Sequence, residues 1–167
     1  MADATHKDMF LKVETAKQGA IKGESNDSGH GGEIDILGWS WGMHSKSSMS
    51  AGGPSGKATI NELHVLKLVD SASTALMSTL RNNEVVKKAV LSVRKAGKGQ
   101  FEYLKITIEN GRVTALDVAT DDNESLPRIT EKLSFSFHKI SVEYTPQGAD
   151  GQPRGGMLFA AETASTT

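Results

Sequence analysis

The chain has 167 residues, with 19 Lys and Arg against 20 Asp and Glu, for a formal net charge of −1. That balance excludes the clustered cationic excess a phosphate-backbone binder needs, and the lack of any cysteine excludes disulfides, thiolate-held metals and thiol catalysis. Apolar residues are 37% of the chain, no apolar run reaches the roughly 18 residues of a membrane helix, and the opening MADATHKDMF lacks the apolar stretch of a secretory leader.

One domain over 1–167 is expected, with its core at about 8–161 and loose termini. Punctuation by 17 glycines and only 4 prolines, with short apolar or alternating runs between, predicts a mainly β fold. Residues 9–13 read as a first strand, and 19–32, rich in Gly, Ser, Asn and Asp, as a long loop. Residues 33–43 read as one strand. Its apolar parity changes from Ile34 and Ile36 to Leu37, Trp39, Trp41 and Met43, which predicts a bulge near Leu37-Gly38. A loop over 45–56 leads into a strand over 57–68.

The spacing of Ala72, Ala75, Leu76, Thr79 and Leu80 predicts a helix over 70–81, capped by Asp70 or Ser71 and stopped at Asn82-Asn83. Strands follow over 89–93 and 101–109, joined by a turn at 96–99. Asn110-Gly111 predicts a second hairpin into 113–119. An acidic loop at 120–127, a strand over 129–144 with a parity change near His138-Lys139, and a last strand over 157–161 complete the chain. Eight or nine strands and one helix are best accommodated as a closed barrel or sandwich.

Little of this sequence points to catalysis. The histidines at 6, 30, 44, 64 and 138 show no short ligand spacing, so no metal and no cofactor are expected. Ser25, Asp27 and His30 include the residue types of a nucleophilic triad, but they share one predicted loop and read as solvated. Glu33 and Asp35, two apart, read as a solvated sheet face. The Trp39 and Trp41 side of the next strand reads as core. Its other side, Gly38, Ser40 and Gly42, is small and uncharged, which suits a close packing surface or the wall of a channel.

Six segments, in order along the chain, resemble the haemolysin-coregulated protein (Hcp) family of type VI secretion: DMFLKV at 8–13, IKGES at 21–25, EIDILGWSWG at 33–42, VRKAG at 93–97, EYLKIT at 102–107 and VEYTPQ at 142–147. The resemblance implies a single β-barrel of two packed antiparallel sheets with one flanking helix, assembling as a hexameric ring whose copies stack into a hollow tube. It implies a structural protein and not an enzyme, held in the cytoplasm before assembly and exported by the type VI machine without a signal peptide. Its implied partners are other copies of itself, the sheath, spike and baseplate proteins, and effector cargo in the lumen, with neither nucleic acid nor membrane insertion. On this resemblance Gly38, Ser40 and Gly42 face the lumen and its cargo, and Met49, Gly52 and Gly53 make assembly or stacking contacts. The alternatives are a monomeric barrel that binds a small ligand, separated by native mass, and a loop-based hydrolase using Ser25 and His30, separated by alanine substitution.

Overall fold

The computed structural model describes residues 8–45, 58–95, 101–121 and 127–163. They form β1 (Met9–Thr15), β2 (Gly19–Ile21), β3 (Ile34–Asp35), β4 (Gly38–Ser40), β5 (Met43–His44), β6 (Thr59–Ile60), β7 (Leu63–Leu68), α1 (Ser73–Arg81), β8 (Val86–Arg94), β9 (Glu102–Asp121), β10 (Arg128–Ser136), β11 (Lys139–Tyr144) and β12 (Met157–Glu162).

The spine is β9, 20 residues long. Its first half pairs with β8 on one side and β11 on the other, and β8 leads on to β1 while β11 leads to β12. Its second half pairs with β10, which leads to β7 and β4. All of these pairings are antiparallel, so two sheets share one strand and close over a common core. Leu11, Leu91, Ile106, Ile108 and Ile140 from the first sheet meet Leu63, Leu133 and Phe135 from the second, all with at most 1% exposure. The alternation that carries this is plain in β1, where Leu11, Val13 and Thr15 are buried and Lys12 and Glu14 are exposed. The expected barrel of two packed antiparallel sheets with a flanking helix is what the chain forms.

The expected helix is present, with Ala72, Leu76 and Thr79 buried and Ala75 and Leu80 half-buried. It starts at Ser73, later than expected, with Ala72 and not Asp70 or Ser71 at the N-cap and no side-chain capping bond. Asp70 Oδ1 accepts from the Ala72 N–H at 2.9 Å in the turn before it, and Asn83 at φ 49° ends the element.

Several boundaries depart from the expectations. Residues 33–43 are not one bulged strand. Ile34 pairs with Leu11 of β1, whereas Leu37 donates its N–H to Leu66 and Trp39 pairs with Val65 of β7. The parity change marks the point where the chain leaves one sheet for the other, and a corner between sheets reverses inside and outside as a bulge does. Residues 57–68 likewise break at Asn61-Glu62 into β6 and β7, and residues 19–21 of the expected loop pair with β1. Asn110-Gly111 forms no hairpin. Asn110 adopts the left-handed conformation the motif favours (φ 56°), but β9 runs straight on because partners on both sides take its backbone groups. The parity change near His138 is a break between β10 and β11. The turn expected at 96–99 lies outside the described residues, although β8 and β9 pair as a hairpin would.

Behind α1, Glu84 is buried and ties down the β1–β2 turn. Its carboxylate accepts from the backbone N–H groups of Lys17 and Gln18 and from Gln18 Nε2. The Gln18 side-chain bond, with the two backbone N–H groups, outweighs burial and holds this carboxyl below the usual carboxylate range. A lowered carboxyl stabilises the fold fully above its ordinary value, and that contribution is lost as pH falls through the folded value. Glu84→Gln should therefore melt below the wild type at neutral pH, and the gap should close in acid. Thermal melts across pH check this; a gap that does not change with pH would contradict it.

Candidate functional site

Gly38 and Ser40 open onto a face wider than one strand, which carries charged residues as well as small ones. Residues on β4, β7, β10 and β9 stand in two cross-strand rows, Gly38–Leu66–Lys132–Asp117 and Ser40–His64–Ser134–Ala115. The alternate residues Val65 and Leu133 point into the core. Because Gly38 has no side chain and Ser40, Ala115 and Ser134 have short ones, the face is hollowed into an open groove of about 410 Å³ beside Leu66. Lys132 and Asp117 are opposite charges on neighbouring strands, and His64 Nδ1 lies 2.7 Å from Ser134 Oγ. The groove is therefore shallow, mixed in lining with apolar atoms predominating, and close to neutral. It has no concentrated charge.

Gly38 and Ser40 line this groove. Gly42 does not; it lies past the end of β4, where its carbonyl accepts from the Asn61 N–H. The tryptophans pack against the core, as expected, but are only half-buried, because β4 is a short edge strand, and Trp41 Nε1 donates to the Asn61 carbonyl at 2.9 Å. Met49, Gly52 and Gly53 lie outside the described residues. The pairing of β5 with β6 places the two ends of that 45–58 segment side by side.

A second surface lies along β12, which pairs with β11 alone among the described residues. Met157 is 66% exposed and Leu158 70%, with Phe159 and Tyr144 exposed beside them. Successive strand residues point to opposite faces, so both faces of this edge are apolar. A contiguous apolar edge of this kind is what a partner surface covers. Sequence alternation could not find it, because every residue of 157–161 is apolar and the run reads equally well as a buried strand.

The residue types of the triad are not assembled as one. Ser25 Oγ accepts from the Asp27 N–H, and His30 turns away to Glu33 and Glu102. The loop is solvated only in part: Asn26, Ser28, Gly29, Gly31 and Gly32 are exposed, but Ser25 is buried and His30 stacks on the fully buried Phe10 with 4.3 Å between ring centres. Glu33 is part of that contact and no solvated sheet residue. Among the described residues no group of three or more His, Asp or Glu is placed to hold a metal ion, and no helix is long and apolar enough to cross a membrane.

Comparison with known proteins converges on one family. The family model described as type VI secretion system effector, Hcp, matches residues 10–144. The protein hcp1 of Pseudomonas aeruginosa is 38% identical over 154 residues, which is 90% of this chain and 91% of that protein. Among solved structures, a type VI secretion system effector from Yersinia pestis superposes with a TM-score of 0.73 at 28% identity, covering 93% of this chain and 100% of that one. Hcp1 from Salmonella typhimurium gives 0.71 at 26% identity, covering 93% and 95%. With the family model spanning most of the sequence and a relative of this identity aligned along nearly all of it, the chain belongs to the Hcp family of type VI secretion tube proteins.

Proposed function

We propose that this chain closes with five copies of itself into a ring, that the rings stack into a hollow tube, and that the groove face of β4, β7, β10 and β9 lines the bore. The observation that carries the proposal is the pairing of two unlike surfaces on one small barrel. One is shallow and nearly neutral, suited to passing cargo. The other, along β12, is apolar on both sides and suited to burial against a neighbour. Head-to-tail contacts between unlike patches close into rings when the rotation permits. On this reading the chain waits in the cytoplasm and leaves as both tube component and carrier. Effector cargo lies against Gly38 and Ser40, and sheath, spike and baseplate proteins act on the assembled tube. Met49, Gly52 and Gly53 are proposed as contacts between subunits or stacked rings, and 1–167 as a single domain.

Leu158→Asp tests the closure. It places a charge on the 70% exposed edge position without touching the core, so native mass should fall from that of a ring to that of one chain while the circular dichroism spectrum is retained. An unchanged ring mass would remove β12 from the interface. Ser40→Gln tests the bore: ring mass should be unchanged, and cargo retained on the ring should fall severalfold. Full retention would take the groove out of the cargo path.

A further inference from the structure

A cluster away from both surfaces has no part in the reading above. The loop at 23–33 folds back on itself through Ser25 N–H to the Glu33 carbonyl (3.0 Å) and Gly32 N–H to the Ser25 carbonyl (2.9 Å). Its His30 ring lies flat on Phe10 of β1, with an interplanar angle of 7°. His30 Nδ1 is 2.9 Å from Glu33 Oε2, and Nε2 is within hydrogen-bond distance of Glu102 Oε1 on β9. The side chain is 11% exposed, so water competes poorly for either nitrogen.

Hydrogen-bond accounting decides what this geometry requires. A carboxylate only accepts, and a neutral imidazole has one N–H and one bare nitrogen. Two carboxylates on opposite nitrogens are both satisfied only by a ring carrying both protons. We propose that His30 is a two-donor clamp, with one ring N–H toward Glu33 and the other toward Glu102, that fastens the 23–33 loop across β1 to β9.

Charged groups from the neighbouring strands surround the clamp. Glu33 comes from the loop's end and Glu102 from β9, where Lys105 lies 3.7 Å from the Glu102 carboxylate. From β8, Arg94 sits with its guanidinium 5.0 Å from the Phe10 ring centre and pairs with Asp27 of the loop at 2.6 Å and with Asp8 at 3.2 Å. The Arg94 hydrogen bond holds the Asp27 carboxyl below its ordinary range. The Arg94 anchor is independent of the His30 clamp. A ring with one bare nitrogen would set that nitrogen against a carboxylate lone pair, replacing a bond by repulsion.

The test uses the full chain. Solid-state NMR of the protein with isotope-labelled histidine should show both His30 nitrogens carrying a proton, the signal being assigned by its absence in His30→Arg. Amide exchange at one fixed pH gives an independent readout. His30→Gln, which can donate to one side only, should speed exchange at Ser25 and Gly32 about tenfold or more, and His30→Arg, which donates to both, should match the wild type. A ring with one bare nitrogen would overturn the proposal, as would Gln and Arg variants that exchange alike.

Discussion

Lys67→Met should destabilise the fold by about 3–5 kcal/mol, although it exchanges a charged side chain for an apolar one of similar length in the barrel interior. Lys67 and Glu131 are both fully buried. They lie opposite each other on β7 and β10, on the inward face that also carries Val65 and Leu133. Every proton of the ammonium is used, on Glu131 Oε2 at 2.6 Å, Asp70 Oδ1 at 2.9 Å and Ser73 Oγ at 3.0 Å. Ser73 Oγ in turn donates to Glu131 Oε2 and accepts the Asp70 N–H, which binds the start of α1 to the sheet. Removing Lys67 strands a buried carboxylate whose remaining donor is one hydroxyl. The double variant Lys67→Met with Glu131→Leu removes both charges and should recover most of the loss, since the desolvation cost of a buried pair roughly cancels its attraction. Urea denaturation of the three proteins checks this. A single variant within about 1 kcal/mol of the wild type would contradict it.

Gly111→Ala should cost about 1–3 kcal/mol or more, for a reason confined to backbone. Gly111 lies at the middle of β9, where the strand passes from one sheet to the other and β10 closes against it. A Cβ there would fall under 3.0 Å from the Ser136 carbonyl oxygen. That oxygen belongs to the end of β10, whose Ser136 pairs with Arg112, so it cannot swing aside as a side chain would. One strand must move from the other at the joint the two sheets share. A lowered melting temperature with an unchanged spectrum at low temperature is the expected result, and a wild-type melting temperature would contradict the close approach. Gly38→Ala is the control: an added Cβ there meets nothing within 4 Å.

How much of this was legible depends on the range over which each signal acts. Alternation in β1 and the apolar stripe of α1 are local, and both gave correct elements. Asn110-Gly111 is also a local signal. The turn conformation did form at Asn110, but pairing with β8 and β11 overrode the reversal. The parity change at Leu37 was read correctly as a change of phase and assigned to the wrong cause, because a bulge and a change of sheet leave the same trace in sequence. Lys67 and Glu131 were passed over, since such residues are rarely buried. Their positions, in phase with Leu63 and Val65 on β7 and with Leu133 and Phe135 on β10, were the available sign. The bare face at Gly38 and Ser40 was visible from side-chain size alone. Its continuation through His64, Ser134 and Lys132 was not, because it depends on which strands lie beside β4.

The central claim is closure of several copies around a bore. Native mass spectrometry of the purified protein, with negative-stain images of the same sample, tests it most directly. The account predicts a species of about six times the 17.8 kDa chain, seen end-on as a ring with an open centre. A species of one-chain mass that persists at high concentration, with no central opening, would contradict it.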